Sequence, residues 1–176
     1  LLAGLLTIAT LVFTSSVQAE MLVAVVGDSN VYGKGISSSE NYPTQLEQAL
    51  KRKGHDVRVH NGGQNGDTTG GLLSRLSSAA PQGTQVAVVW IGVNDRKMLG
   101  ADTAKIQAGR RAIAGALQAR GIEVVTVASD AFIPLHMSPA TSLPDHHLNR
   151  AGYSQVVART LGQVEAAIGR AKKKKS

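Results

Sequence analysis

A doubly wound α/β domain, a parallel sheet with helices on both of its faces, is the fold this sequence predicts, and three observations carry that reading. From Glu20 onward, Val-rich runs of strand length alternate with longer stretches whose apolar residues recur at helical spacing. Each short run is bounded by Gly or polar turn residues and is almost continuously apolar, as strands buried on both faces are. The 176-residue chain, less an apolar leader ending at Ala19, holds enough residues for one core. Strict alternation implies parallel strands joined by right-handed crossovers.

Strands are expected over 21–26, 56–60, 85–91 and 123–128. The first helix is expected over 43–53, with Pro43 at a first helical position, Leu46, Ala49 and Leu50 on one face, and Gly54 as the stop. Helices over 69–80 and 102–120 follow. The last runs from Arg150 to about Ala171, with Tyr153, Val156, Val157, Leu161, Val164 and Ile168 as one stripe. The long irregular stretch 129–149 carries an apolar cluster that includes Phe132, Ile133, Leu135 and Met137. It predicts either a wall or lid over a substrate or a short fifth strand. No internal repeat is present.

Residues 1–19 read as an export signal without its charged n-region: an uncharged apolar run to Phe13, a polar stretch, then Val17-Gln18-Ala19 before Glu20. The run is too short to span a bilayer. Cleavage after Ala19 would send residues 20–171 to the periplasm or medium as a single domain, followed by a basic tail over 172–176. The formal charge of +7 falls to +3 once the four lysines at Lys172 to Lys175 are set aside, so the excess reads as a solvated tail. With two Phe, three Tyr and one Trp, aromatic platforms for nucleic acid are not expected. The absence of cysteine excludes thiol nucleophiles, disulfides and cysteine metal sites.

In a doubly wound sheet, ligands bind beyond the carboxyl ends of the strands, where strand order reverses. The segments there are Gly27-Asp28-Ser29-Asn30, Asn61 to Thr69, and Gly92-Val93-Asn94-Asp95. A 2-1-3-4 order would bring Ser29, Gly66 and Asn94 into one crevice. Ser29, in a tight turn straight after a strand, is placed as a nucleophile needs to be, but a hydroxyl requires a histidine base. Of five histidines, His55 lies at the wrong end of the second strand, whereas His147 precedes the last helix on a loop returning to the carboxyl edge. The backbone N–H groups of Ser29 and Gly66 and the Asn94 amide are candidate oxyanion donors.

GDSN after the first strand, NGD-T-T after the second, GVND after the third and HLN-x-x-GY at the last helix resemble, as an ordered set, the four signature blocks of the SGNH, or GDSL-like, hydrolase family. The resemblance covers about Leu22 to Thr160. It implies a three-layer, flavodoxin-like α/β/α fold of four to five strands and acyl-ester chemistry without cofactor or metal. Carried over by position, Ser29 is the nucleophile, His147 the general base, and Ser29, Gly66 and Asn94 the oxyanion hole, while Asp28 and Asp95 organise their turns. The last block departs from the pattern. The family places its third triad member three residues before the histidine, where Pro144 stands here, and the nearest acid, Asp145, is two before. A one-residue deletion would account for this, with Asp145 assisting His147. The alternatives are a backbone carbonyl, Asp130, or a Ser-His dyad.

A glance suggests a P-loop at Gly27 to Gly35, but its spacing is one residue too long and Gly35 stands where Ser or Thr is required. His146 beside His147 lacks any metal-ligand spacing. Arg96 and Lys97 would suit an anionic leaving group or headgroup, or form a solvated loop. The expected function is a secreted serine hydrolase of short- to medium-chain esters, thioesters or lysophospholipids, with Phe132, Ile133, Leu135 and Met137 lining the acyl pocket. The alternatives are a carbohydrate O-acetyl esterase and an exported binding protein with a degraded triad. The sequence leaves the oligomeric state open.

Overall fold

The computed structural model describes residues 20–174. The apolar leader, its expected cleavage point after Ala19, and the last two residues lie outside them. The element order is β1 (Met21–Gly27), α1 (Ser29–Tyr32), α2 (Tyr42–Arg52), β2 (Val57–Gly63), α3 (Thr69–Ser74), α4 (Leu76–Ala79), β3 (Thr84–Trp90), α5 (Val93–Leu99), α6 (Thr103–Ala119), β4 (Glu123–Thr126), a 3-10 turn (Ser129–Phe132), α7 (Ile133–His136) and α8 (Arg150–Lys173). The four strands are parallel in the order β2-β1-β3-β4, so strand order reverses at β1 and β3.

Because side chains alternate across a strand, β1 and β3 feed two cores. Val23, Val25, Val86, Val88 and Trp90 pack under α2 and α8, with Leu46, Leu50, Val156 and Ile168. Ala24, Val26, Ala87 and Val89 pack under α3, α4 and α6, with Leu72, Leu76, Ile113 and Leu117. Each enclosed leucine contributes roughly 2 kcal/mol by leaving water. The three longest helices each begin with a side-chain cap: Asn41 accepts from Thr44 N–H, Asp102 from Lys105 N–H, and Asn149 from Gly152 N–H. No helix among the described residues is long and apolar enough to cross a membrane.

Four differences from the sequence-based expectation have physical causes. The helix expected over 69–80 breaks at Arg75 (φ −111°, ψ 16°), whose side chain is drawn toward Asp67 and the carbonyls of Gly27 and Gly62. The loops after β1 and β3 are themselves helix starts, α1 and α5. The stretch 129–149 contains no fifth strand; it holds the 3-10 turn, α7 and a small hairpin. The boundary expected at 172 falls inside α8, and Lys174 at its end places Nζ 2.6 Å from Glu123 Oε1, so Lys172 to Lys174 continue the helix to its cap rather than form a detached tail. Lys174 and Arg170 together hold the Glu123 carboxyl below its ordinary range.

Candidate functional site

Ser29 owes its position to two glycines and a cap. A Cβ at Gly27 would overlap the Trp90 carbonyl oxygen, so only glycine lets β1 lie that close to β3 at its carboxyl end. Asp28 then caps the single turn α1 by accepting from Asn30 N–H at 2.9 Å, and Gly33, with φ +87°, ends that turn. Ser29 is 7% exposed and donates from Oγ to His147 Nε2 at 3.0 Å.

The histidine and its acid share one hairpin. Leu143 N–H bonds to His147 O (2.7 Å), His146 N–H to Leu143 O (2.9 Å) and Asn149 N–H to Thr141 O (3.0 Å). Pro144 and Asp145 occupy the centre of a tight turn, and His146 follows in the left-handed region at φ +64°. That is a three-residue hairpin loop closed by a left-handed residue. It aims both Asp145 oxygens at His147, Oδ1 to its backbone N–H (3.2 Å) and Oδ2 to its ring Nδ1 (2.9 Å). The His147 backbone N–H, then its ring and Lys34, hold the Asp145 carboxyl below the usual range, while partial desolvation opposes them. An ionised Asp145 fixes the Nδ1–H tautomer and leaves Nε2 free to accept from Ser29. Asp130, the other candidate acid, lines the cleft instead.

The loops after β2 and β3 bring Gly66 and Asn94 to the same cleft. Gly66 sits at φ +75° with open space around it, so backbone conformation rather than crowding requires glycine there. Asn94 spends one amide N–H on Asp67 O at 2.8 Å, which leaves its second. Asp95 ties α5 to α3 by accepting from the Thr69 backbone N–H (3.0 Å) and hydroxyl (2.5 Å). Arg75 holds Asp67 at 2.6 Å and donates to the carbonyls of Gly27 and Gly62, bracing the loops after β1 and β2. Arg110 of α6 does the same for β3 and β4, donating to Ile91 O (2.8 Å) and Ser129 Oγ (2.9 Å). Neither arginine is singled out by sequence motif. The available signal is that each interrupts an apolar stripe, Leu72-Leu76-Ala79 and Ile106-Ile113-Leu117.

The cleft measures about 550 Å³ and includes Trp90, Ile106, Ile133 and Met137 in its walls. Two of the four expected acyl-pocket residues face elsewhere. Phe132 and Leu135 are three apart on consecutive helical turns and share the inward face, where Phe132 packs on Trp90 (ring centroids 5.7 Å apart) and Leu135 joins the same core. Ile133 and Met137 point outward to the cleft and are 54% and 65% exposed. His136, not anticipated, also lines it. Its Nδ1 lies 2.8 Å from His146 O, and burial pushes its imidazole down. Among the described residues, no three His, Asp or Glu side chains are grouped to hold a metal ion.

Burial pushes the Asp28 carboxyl up to about 6, against the bond from Asn30. Between its ordinary range and pH 6 the native state holds a proton that the unfolded chain has lost, so this group's contribution falls as pH rises. Asp28→Asn, which keeps the cap, is therefore expected to gain stability relative to the parent by up to about 3 kcal/mol from pH 4 to pH 7. Urea midpoints at the two pH values check it; parallel shifts in both proteins would contradict the burial argument.

Residues 25–173 match the sequence pattern of the GDSL-like Lipase/Acylhydrolase family. An arylesterase of Vibrio mimicus is 38% identical over 79 residues, covering 44% of this chain and 40% of that protein. Esterase TesA of Pseudomonas aeruginosa is 32% identical over 126 residues, covering 71% of this chain. The matches thus span 40% and 61% of the two relatives' lengths. The crystal structure of TesA superposes with a TM-score of 0.73 at 20% identity, covering 84% of this chain and 99% of that one, a likeness of fold.

Proposed function

The chain belongs to the GDSL-like lipase/acylhydrolase family, and from that premise we propose that it is an exported serine esterase of short- to medium-chain carboxylic esters. The observation that carries the reading is the bonded series Ser29 Oγ, His147 Nε2, His147 Nδ1, Asp145 Oδ2, with contacts of 3.0 and 2.9 Å. His147 takes the Ser29 proton as Oγ attacks the ester carbonyl. The backbone N–H groups of Ser29 and Gly66 and the free N–H of Asn94 receive the oxyanion. As the tetrahedral adduct collapses, His147 returns the proton to the leaving alkoxide, and water, deprotonated by the same ring, releases the acyl group. Asp145 holds the ring and its tautomer throughout. The reaction calls on no cofactor or metal.

Ile133 and Met137 on an open cleft suit a modest acyl chain. Thioesters and lysophospholipids are further substrates the same machinery would accept, as is a sugar O-acetyl group. The Asp145–His147 contact weighs against a binding protein with a degraded triad. Hydrolysis of p-nitrophenyl esters from acetate to decanoate, beside Ser29→Ala, tests the reading. Turnover that survives in the variant would overturn it. Asn94→Ala is expected to lower kcat by roughly 10² to 10³ with KM little changed. An unaltered kcat would remove Asn94 from the oxyanion hole.

A further inference from the structure

We propose that Arg110 forms an anion subsite, so that the preferred esters carry a carboxylate at the far end of the acyl group. This inference rests on Ser29 as the nucleophile. Arg110 occupies an apolar-stripe position of α6, between Ile106 and Ile113, and is only 9% exposed. Its two hydrogen bonds go to uncharged acceptors, Ile91 O and Ser129 Oγ, and use Nε and Nη2; among the described residues Nη1 has none. It makes no ion pair among the described residues. Asp130, the carboxylate that acts on it most strongly, is solvent-exposed and beyond ion-pair distance.

Arg75 supplies the contrast. It too interrupts a buried stripe, but its guanidinium is paired with Asp67 at 2.6 Å and lies outside the cleft, whereas Arg110 lines the cleft and has Asp130, Asp95 and Asp28 acting on it only from beyond ion-pair distance. A guanidinium keeps its charge in any surroundings, so burying one without a carboxylate is costly unless a ligand brings the counter-charge. The planar fork matches a carboxylate. Lys34, Arg96 and Lys97 border the same cleft, and of its two carboxylates Asp145 is engaged by His147. The field there draws anions in.

The direction follows from the topology. His147 must protonate the leaving oxygen, which keeps the leaving group on the hairpin side. The acyl group then runs from Ser29, after β1, across the end of β3 toward β4, where Arg110 joins Ile91 to Ser129. Trp90, Val93 and Ile106 line the cleft and would pack against the intervening methylenes.

The test compares mono-4-nitrophenyl glutarate and adipate with their methyl-capped diesters, which match in length and differ in charge. The parent protein is expected to favour the half-esters by about tenfold or more in kcat/KM, chiefly through KM, with the preference weakening as salt is added. Arg110→Met is expected to abolish the preference and Arg110→Lys to keep part of it; the lysine variant and the salt series stand if the methionine variant does not fold. Equal or better turnover of the capped esters by the parent would make Arg110 a brace only. A preference surviving in Arg110→Met would place the anion elsewhere. If neither ester is hydrolysed, the esterase reading fails, and calorimetric titration of the Ser29→Ala protein with monomethyl adipate decides the subsite. Binding lost in Ser29→Ala/Arg110→Met supports it, and no binding overturns it.

Discussion

Replacing Ser29 by alanine is expected to lower kcat on p-nitrophenyl butyrate by roughly 10⁵- to 10⁶-fold, to the level that oxyanion donors and binding alone support. The size of the effect follows from how little else the substitution touches. The Asp28 cap of α1 binds Asn30 N–H, and the Ser29 backbone donor is unchanged, so the fold and the oxyanion hole persist. Only the atom that would form the acyl bond is removed. His147→Ala should fall to the same floor, and the double variant no lower, because nucleophile and base act as one unit. Initial rates, with a fluorophosphonate label as a second readout, check this. A labelled Ser29→Ala protein would point to a different nucleophile.

Asp145→Asn is expected to cost up to roughly 10⁴-fold in kcat at neutral pH, with KM little changed. The amide that replaces Oδ2 can present its NH₂ to His147 Nδ1, which favours the tautomer with the proton on Nε2; that nitrogen then donates to Ser29 Oγ and can no longer take its proton. Asp145→Ala, which removes the partner without imposing that tautomer, should be damaged no more than the asparagine variant. A kcat unchanged in Asp145→Asn would show a dyad in which the carboxylate is dispensable. The acid's 48% side-chain exposure lets water share its role, which sets the lower end of the loss.

The strands and the loops that carry Ser29, Gly66 and Asn94 were legible in the sequence because each depends on local signals, Val-rich runs ended by Gly and polar turns; the order of the strands, set by long-range pairing, entered only as a condition. What escaped depends on contacts between distant elements. Arg75 reaches back to Gly27 and Arg110 across to Ser129, and a lone arginine on an apolar stripe reads as a flaw in periodicity until its partners are seen. The break of the 69–80 helix has the same origin. Hydrophobicity alone points Phe132 and Leu135 to the acyl pocket, because it cannot tell a cleft wall from the core behind it; the helical turn that sorts them from Ile133 and Met137 is weak in sequence, with Pro134 in its midst. The spacing of acid and base looked defective because only residue number was counted, and the hairpin turn that brings them together depends on a left-handed His146.

That left-handed residue creates a point of fragility that lies outside the chemistry. Histidine tolerates the conformation moderately well, glycine and asparagine better, and a β-branched side chain poorly. A valine or isoleucine arising at position 146 would leave nucleophile, acid and base chemically intact while pulling the turn open between the last two. Position 146 thus bears on the proposed activity without meeting the reacting atoms, and a substitution there would remove that activity with Ser29, His147 and Asp145 all still in place.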